Sequence, residues 1–262
     1  MYILVYTMEE KIIRKVTGIG NGAHVFAPKE WINDEVQIMR VKKNPKEELI
    51  KIIYPHLDKI TAAFLYGSYA RNEQEVGSDL DFFIISNEKF SIKSKNSDII
   101  VVPEDKIEAA KKLNPILFYS MLQEAKSVIN QSYLEKLKKE EINFDYFNYF
   151  ISETKRWIEI NKSSIELNKL NNEESDESTI YSLILRLRGV FIINSLLRKE
   201  KYSKKGFENF ITQNSKANYK QVYAAYRIIR DNQKQEKKIN LEQAESLLDL
   251  LIREIEILEK KI

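Results

Sequence analysis

From residue 131 to the C-terminus, apolar residues recur at helical spacing with almost nothing to interrupt them. The spacing predicts helices over 131–141, 144–169, 178–199, 204–213, 217–232 and 240–261. The last keeps Leu241, Ala244, Leu247, Leu248, Leu251, Ile255 and Leu258 in one stripe. The polar run 171–178 reads as a loop between two of them. Upstream the pattern changes. Asn44-Pro45 opens a helical stretch with Leu49, Ile50, Ile53 and Leu57 on one face. Short apolar runs at 62–66, 80–85 and 99–102 then read as strands. A short helix is expected over 69–73, a loop over 87–97, and helices over 104–112 and 115–129. In residues 1–43, Glu35 to Val41 alternates with period two and reads as a half-buried strand. With the segments around Gly18-Ile19-Gly20-Asn21-Gly22 it suggests a small β unit of two or three strands, too short for a large core of its own. No internal repeat is present.

Glycine and proline sharpen this division. Of seven glycines, Gly18, Gly20, Gly22, Gly67 and Gly77 fall in two short stretches, and all five prolines precede residue 116. The rest holds only Gly189 and Gly206 as breakers, which suits long helices. A chain of 262 residues, 43% hydrophobic and 31% charged, can bury a sizeable core and is not disordered throughout. No window is read as the ~18 apolar residues of a membrane span, and residues 1–11 lack a basic leader. With no Cys, disulfides and thiolate metal sites are excluded; with only His24 and His56, so is a histidine-rich one. These features point to the cytoplasm. The net charge of +3 is too balanced to argue for a nucleic-acid partner.

The chemistry concentrates in one stretch, Leu65-Tyr66-Gly67-Ser68-Tyr69-Ala70-Arg71 followed by Gly77-Ser78-Asp79-Leu80-Asp81. Asp79 and Asp81 are two apart on an apparent strand, so both emerge on one face, while Leu80, Phe82 and Ile84 point to the other. Two such carboxylates repel unless a cation lies between them, and hard oxygen donors suit Mg²⁺ or Mn²⁺. Gly67-Ser68, at a strand-to-helix junction, offers backbone N–H groups and a hydroxyl to a phosphate. Arg71 lies three residues on and could aim at the same anion, with a surface salt bridge as the equal alternative. A phosphate cradle followed by a metal-binding carboxylate pair is what nucleotidyl transfer requires.

The pattern Gly67-Ser68, ten residues, then Asp79-x-Asp81 resembles the signature of the DNA polymerase β-type nucleotidyltransferases, most closely the minimal nucleotidyltransferases of bacteria and archaea. The resemblance covers about 45–130. It implies a third carboxylate on a neighbouring strand, and Asp98 in Ser97-Asp98-Ile99-Ile100-Val101-Val102 matches, against an exposed strand-start Asp with Glu104 or Asp105 as the weaker alternatives. Asp79 and Asp81 would then hold two metal ions, and Asp98 would bind the second and act as base. Gly67, Ser68, Arg71 and Ser78 would bind the nucleotide. Asn72 stands where many relatives have Gly, a substitution that αL geometry tolerates.

The flanks carry weaker resemblances. Gly18 to Trp31 resembles a short archaeal family found beside transposases, itself similar to swapped-hairpin DNA-binding proteins of the AbrB type. A module for DNA contact or homodimer formation and an accessory hairpin both stay open. Residues 1–43 carry seven basic against five acidic residues, no DNA footprint by themselves. His24 reads as a packed or turn residue. The C-terminal helices resemble those that follow the catalytic domain in aminoglycoside-type nucleotidyltransferases, and the HEPN domains that pair with minimal ones. They hold no His, so HEPN-type nuclease activity is not expected. Arg186, Arg188, Tyr223, Tyr226, Arg227 and Arg230 are candidates for the wall of an acceptor or nucleotide cleft, against ordinary aromatic–cation packing. Lys and Arg between 198 and 205 read as a solvated face.

The expected fold is α/β (α+β): a β unit over 1–43, a nucleotidyltransferase core with a small mixed sheet over 44–130, and an all-α acceptor-binding bundle over 131–262. The expected function is Mg²⁺- or Mn²⁺-dependent transfer of NMP from an NTP, ATP first among them, to an acceptor hydroxyl of a small molecule, RNA end or protein. An antitoxin-like protein that adenylylates a partner, and a nucleic-acid-binding regulator with a dead site, are the alternatives. No membrane partner is expected.

Overall fold

The computed structural model describes residues 12–38, 44–75, 78–94, 97–233 and 238–262. By its contacts the chain divides into two units, Met1–Lys42 and Lys43–Ile262. In the first, β1 (Thr17–Ile19) and β2 (Gly22–His24) pair antiparallel around a two-residue turn. Gly20 turns there at φ 53°, where an L side chain is strained. The His24 ring approaches the Thr17 hydroxyl at 3.0 Å and stands edge-on to Phe26. The strand expected over 35–41 is not found: residues 35–38 are irregular, and 39–41 lie outside the described residues. Alternation favours a strand only where one face is covered, and Val36 and Ile38 are exposed.

The second unit opens on α1 (Pro45–Ile53), where the Asn44 side chain accepts the Lys46 N–H at 3.1 Å. Leu49 and Ile53 are fully buried, but Ile50 and Leu57 are 39% and 42% exposed, against expectation. Pro55 cannot continue the helix, so Tyr54–Lys59 tightens into a 3₁₀ turn that carries Leu57 off the buried stripe. Ile50 lies one step round from that stripe.

Four strands follow: β3 (Ile60–Tyr66), β4 (Leu80–Ser86), β5 (Ser97–Pro103) and β6 (Lys126–Ile129). They form a mixed sheet in the order β5-β4-β3-β6, with β4 and β5 parallel and the other neighbours antiparallel. The five-residue helix α2 (Gly67–Arg71) leaves the end of β3 directly. After β5 come α3 (Ile107–Leu113) and α4 (Pro115–Glu124), and after β6 comes α5 (Gln131–Lys139). Strand β6 corrects the helix expected over 115–129. Ala125 is extended at ψ 135°, and the chain then pairs with the open edge of β3. The unpaired backbone groups of that edge override the helical pattern.

Strand alternation divides the sheet cleanly. Leu80, Phe82 and Ile84 join Leu49, Ile53, Ala63, Leu65 and Ala70 in one core, under α1 and α2. Phe83 and Ile85 join Ala62, Phe64 and Tyr66 in the other. This second core runs on through α4 and α5 into the helices α6 (Asn148–Leu170), α7 (Glu177–Leu197), α8 (Lys204–Asn214), α9 (Tyr219–Arg230) and α10 (Leu241–Glu259). Asp176, Ser203, Asn218 and Asn240 each cap the helix they precede by accepting a backbone N–H. Helix α7 is the hub, packed on α4, α6, α9 and α10. It also corrects the reading that no window is apolar enough to span a membrane. By length and composition α7 qualifies, but two-thirds of that window is buried, as in a core helix.

The corrected face of α1 is checked by two substitutions followed by urea unfolding. Ile53→Ala is expected to cost about 2–5 kcal/mol, and Ile50→Ala under about 1 kcal/mol.

Candidate active site

The site forms where β3, β4 and β5 reach the same end of the sheet. Tyr66 on β3 is the register partner of Asp81 on β4, and Asp81 is the register partner of Asp98 on β5. Partners in a ladder point to the same face, so the three side chains form one row. That face is the one whose apolar residues continue into the helical core. Asp79 precedes β4 and is exposed, and Ser78 beside it is half-buried. Gly77 lies outside the described residues.

Asp81 is the most perturbed of these acids. Burial pushes its pKa up to about 6, the charges of Asp98, Glu124 and Asp79 add to the rise, and Arg71 opposes it. The Tyr66 hydroxyl is likewise raised, first by burial and then by Asp81, Asp98 and Glu124. Gly67 stands against this carboxylate. Its φ is +72°, and a Cβ there would lie 1.9 Å from Asp81 Oδ2. Both backbone angle and space demand glycine at the turn. At the other end of α2, Asn72 takes φ 61°, ψ 31°, the αL geometry that asparagine tolerates.

The carboxylate row fits a divalent cation in kind. Adjacent aspartates with hard oxygen donors repel one another, and a cation relieves that repulsion. Among the described residues, no three Asp, Glu or His side chains converge on one point. The cation would therefore be held first by Asp81 and Asp98, with exposed Asp79 the nearest further donor in sequence.

A cleft of about 480 Å³ opens beside the row, within the size range of small-ligand sites. Ser68, Ser78, Asp79 and Asp81 line its sheet side. Arg188 from α7, Tyr202 and Lys204 around the start of α8, and Tyr223, Arg227 and Arg230 from α9 line the other. Of the sequence candidates for this wall, Arg188, Tyr223, Arg227 and Arg230 are therefore in place. Arg186 instead lies over Phe150 and Trp157, and Tyr226 is buried and stacked on Tyr181.

Most of the cleft's cations are already paired. Arg227 and Arg230 bond Asp231, Lys204 bonds Glu75, and Arg71 bonds Glu73 and Glu124. Arg188 is the exception among the described residues. It has the Tyr202 ring at 5.2 Å but no carboxylate partner, and its Nε is buried without a hydrogen-bond acceptor. Such a group is a standing site for an anion.

Tyr202, Lys204, Glu73, Glu75, Asp231 and Glu124 carry no signal of a site in the local sequence pattern. Tyr202 and Lys204 lie in the stretch read as a solvated face; only the turn from α7 into α8 brings them inward. Glu124 closes a helix expected to run on to 129. Its abrupt end at Ala125 is what aims the carboxylate at Gly67.

Residues 47–139 match the family model described as polymerase beta, nucleotidyltransferase. The match runs from α1 to the end of α5 and contains Gly67, Ser68, Arg71, Ser78, Asp79, Asp81, Asp98 and Glu124. No curated protein sequence matches the chain. Among solved structures, the spectinomycin adenyltransferase AAD(9) from Enterococcus faecialis, described with ATP and spectinomycin, aligns with a TM-score of 0.45 at 13% identity. The alignment covers 81% of this chain and 98% of that one.

The raised pKa of Asp81 gives a stability test in metal-free buffer. The folded state holds this proton more tightly than the unfolded chain, so the group's contribution falls as pH rises from about 4 through about 6. Asp81→Asn is expected to stabilise the protein at pH 7.5 by roughly 1–2 kcal/mol, after discounting for partial exposure, and to leave it unchanged at pH 4. Thermal melts at the two pH values check it.

Proposed function

We propose that the protein is a nucleotidyltransferase that moves the NMP of an NTP, ATP first among them, onto an acceptor hydroxyl. The observation that carries the reading is the Asp81–Asp98 row beside the Gly67-Ser68 turn, across a cleft from Arg188, which has no carboxylate partner among the described residues. The family match over residues 47–139 supports the same reaction class.

In this reading the acceptor oxygen attacks the α-phosphorus. The bond from that phosphorus to the bridging oxygen of the β-phosphate breaks, and pyrophosphate leaves. Asp98, exposed at the mouth of β5, takes the proton from the acceptor hydroxyl. Ser68 and Ser78 offer hydroxyls to the phosphates from the sheet side, and Arg188 neutralises them from the helical side. Asp81 and Asp98, with Asp79, would hold Mg²⁺ or Mn²⁺, which when bound supplies positive charge against the phosphate oxygens. Tyr202 and Tyr223 border the cleft and restrict water around the reacting atoms. We place the reaction in the cytoplasm, in keeping with a chain that has no cysteine.

Pyrophosphate release from MgATP in the presence of a cell extract tests the reading. Asp79→Ala/Asp81→Ala is expected to abolish release above background. Arg188→Ala is expected to raise KM for the nucleotide about tenfold or more with kcat changed less. Neither release nor nucleotide binding by the unmodified protein would sink the proposal.

A further inference from the structure

Glu124, the last residue of α4, reaches the Gly67 turn from 57 residues away in sequence. One carboxylate oxygen accepts the Gly67 N–H at 2.6 Å, and the other accepts from Arg71 Nη1 at 2.5 Å. The side chain is only 8% exposed. Arg71 also donates from Nε to Glu73 at 2.7 Å, and its guanidinium lies 5.3 Å from the centre of the Tyr202 ring. The other Glu73 oxygen accepts the Lys204 backbone N–H at 3.1 Å. A continuous polar path thus runs from α4 through the Gly67 turn to the start of α8.

We propose that Glu124 is a positioning residue for the nucleotide turn, and that Arg71 is a strut between the sheet and the helical wall rather than a phosphate ligand. The inference rests on the nucleotidyl-transfer reading of this cleft. Glu124 holds the Tyr66–Gly67 peptide, one step before Ser68. Gly67 itself lies against the Asp81 carboxylate, with no room there even for a Cβ. One side chain therefore sets the phosphate turn and the carboxylate row together. Arg71 has two of its three nitrogens engaged by carboxylates. Arg71 borders the cleft, but turning its engaged nitrogens toward a phosphate would leave the nearly buried Glu124 with the Gly67 N–H and no cation, a loss that a single new contact does not offset. Among the described residues Arg188 has no carboxylate partner, only the Tyr202 side chain beside it, and so has charge left for the nucleotide.

The test is calorimetric titration with Mg²⁺ and α,β-methylene-ATP, which cannot be cleaved at the α-phosphorus. Glu124→Ala is expected to weaken binding about tenfold or more, the worth of a hydrogen bond to a charged group. Glu124→Gln keeps an oxygen acceptor for the Gly67 N–H and is expected to recover binding to within about threefold of the unmodified protein. Lys111→Met breaks the pairs that the buried Lys111 makes with the exposed Glu108 and with Glu140, neither of which lines the cleft. It should lower the melting temperature without moving the affinity, separating position from stability. If Glu124→Ala does not fold, Glu124→Asp, too short to reach both partners, replaces it and should also weaken binding. Unchanged or tighter binding by the alanine or aspartate variant would overturn the inference, because it would mean that Glu124 merely occupies Arg71 and the turn. Failure of the unmodified protein to bind the analogue overturns the reading of the site itself.

Discussion

Everything at the site depends on the two-residue alternation of β4. Leu80, Phe82 and Ile84 must enter one core, and Phe83 and Ile85 the other. Asp81 shares the face of Phe83 and Ile85, so the packing that holds the strand also holds the carboxylate. A slip of one residue would put the acid into the apolar layer under α1 and exchange the two sets of core side chains between faces. The parallel pairing with β5 then places Asp98 beside Asp81 without any further device. Burial of Asp81, and after it repulsion within that row, is the cost of the arrangement, visible in the raised pKa of Asp81.

The same face explains why the helices sit where they do. It carries acids at its end and aromatics along its length, and the aromatics continue directly into the core around α4 and α7. The helical wall is therefore anchored on the sheet by apolar packing. Glu73 and Glu75 add ion pairs and hydrogen bonds to Lys204 at the cleft itself. Carboxylates thus face cations across a gap, which is how a polyanion carrying a bound cation would be accommodated.

Much of this was legible in the chain. The alternation of residues 79–85 and the Gly67-Ser68 junction are local signals, and local signals suffice for strand ends and turns. The five long C-terminal helices follow from uninterrupted periodicity and capping residues. What escaped depends on distant partners. Strand β6 exists because β3 offers it an edge, and nothing within 115–129 announces that edge. Leu57 leaves its face because Pro55 stops the helix, which spacing alone overlooked. Tyr202 and Lys204 look like part of a solvated basic run until the α7–α8 turn folds them against Arg71 and Arg188. Arg186 and Arg188, two residues apart, lead opposite lives: one is stacked on aromatics, the other opens into the cleft. Their separation around a helix implies different faces, but not which face is the cleft.

The reaction class is decided by which phosphate reaches the acceptor. The direct measurement is parallel incubation of the protein and an extract with α-labelled and γ-labelled ATP, each repeated with Asp81→Asn. The expected result is that α-label alone passes to an acceptor, that γ-label appears only in pyrophosphate, and that Asp81→Asn removes both signals. Transfer of γ-label to an acceptor, or α-label transfer that survives Asp81→Asn, would contradict it.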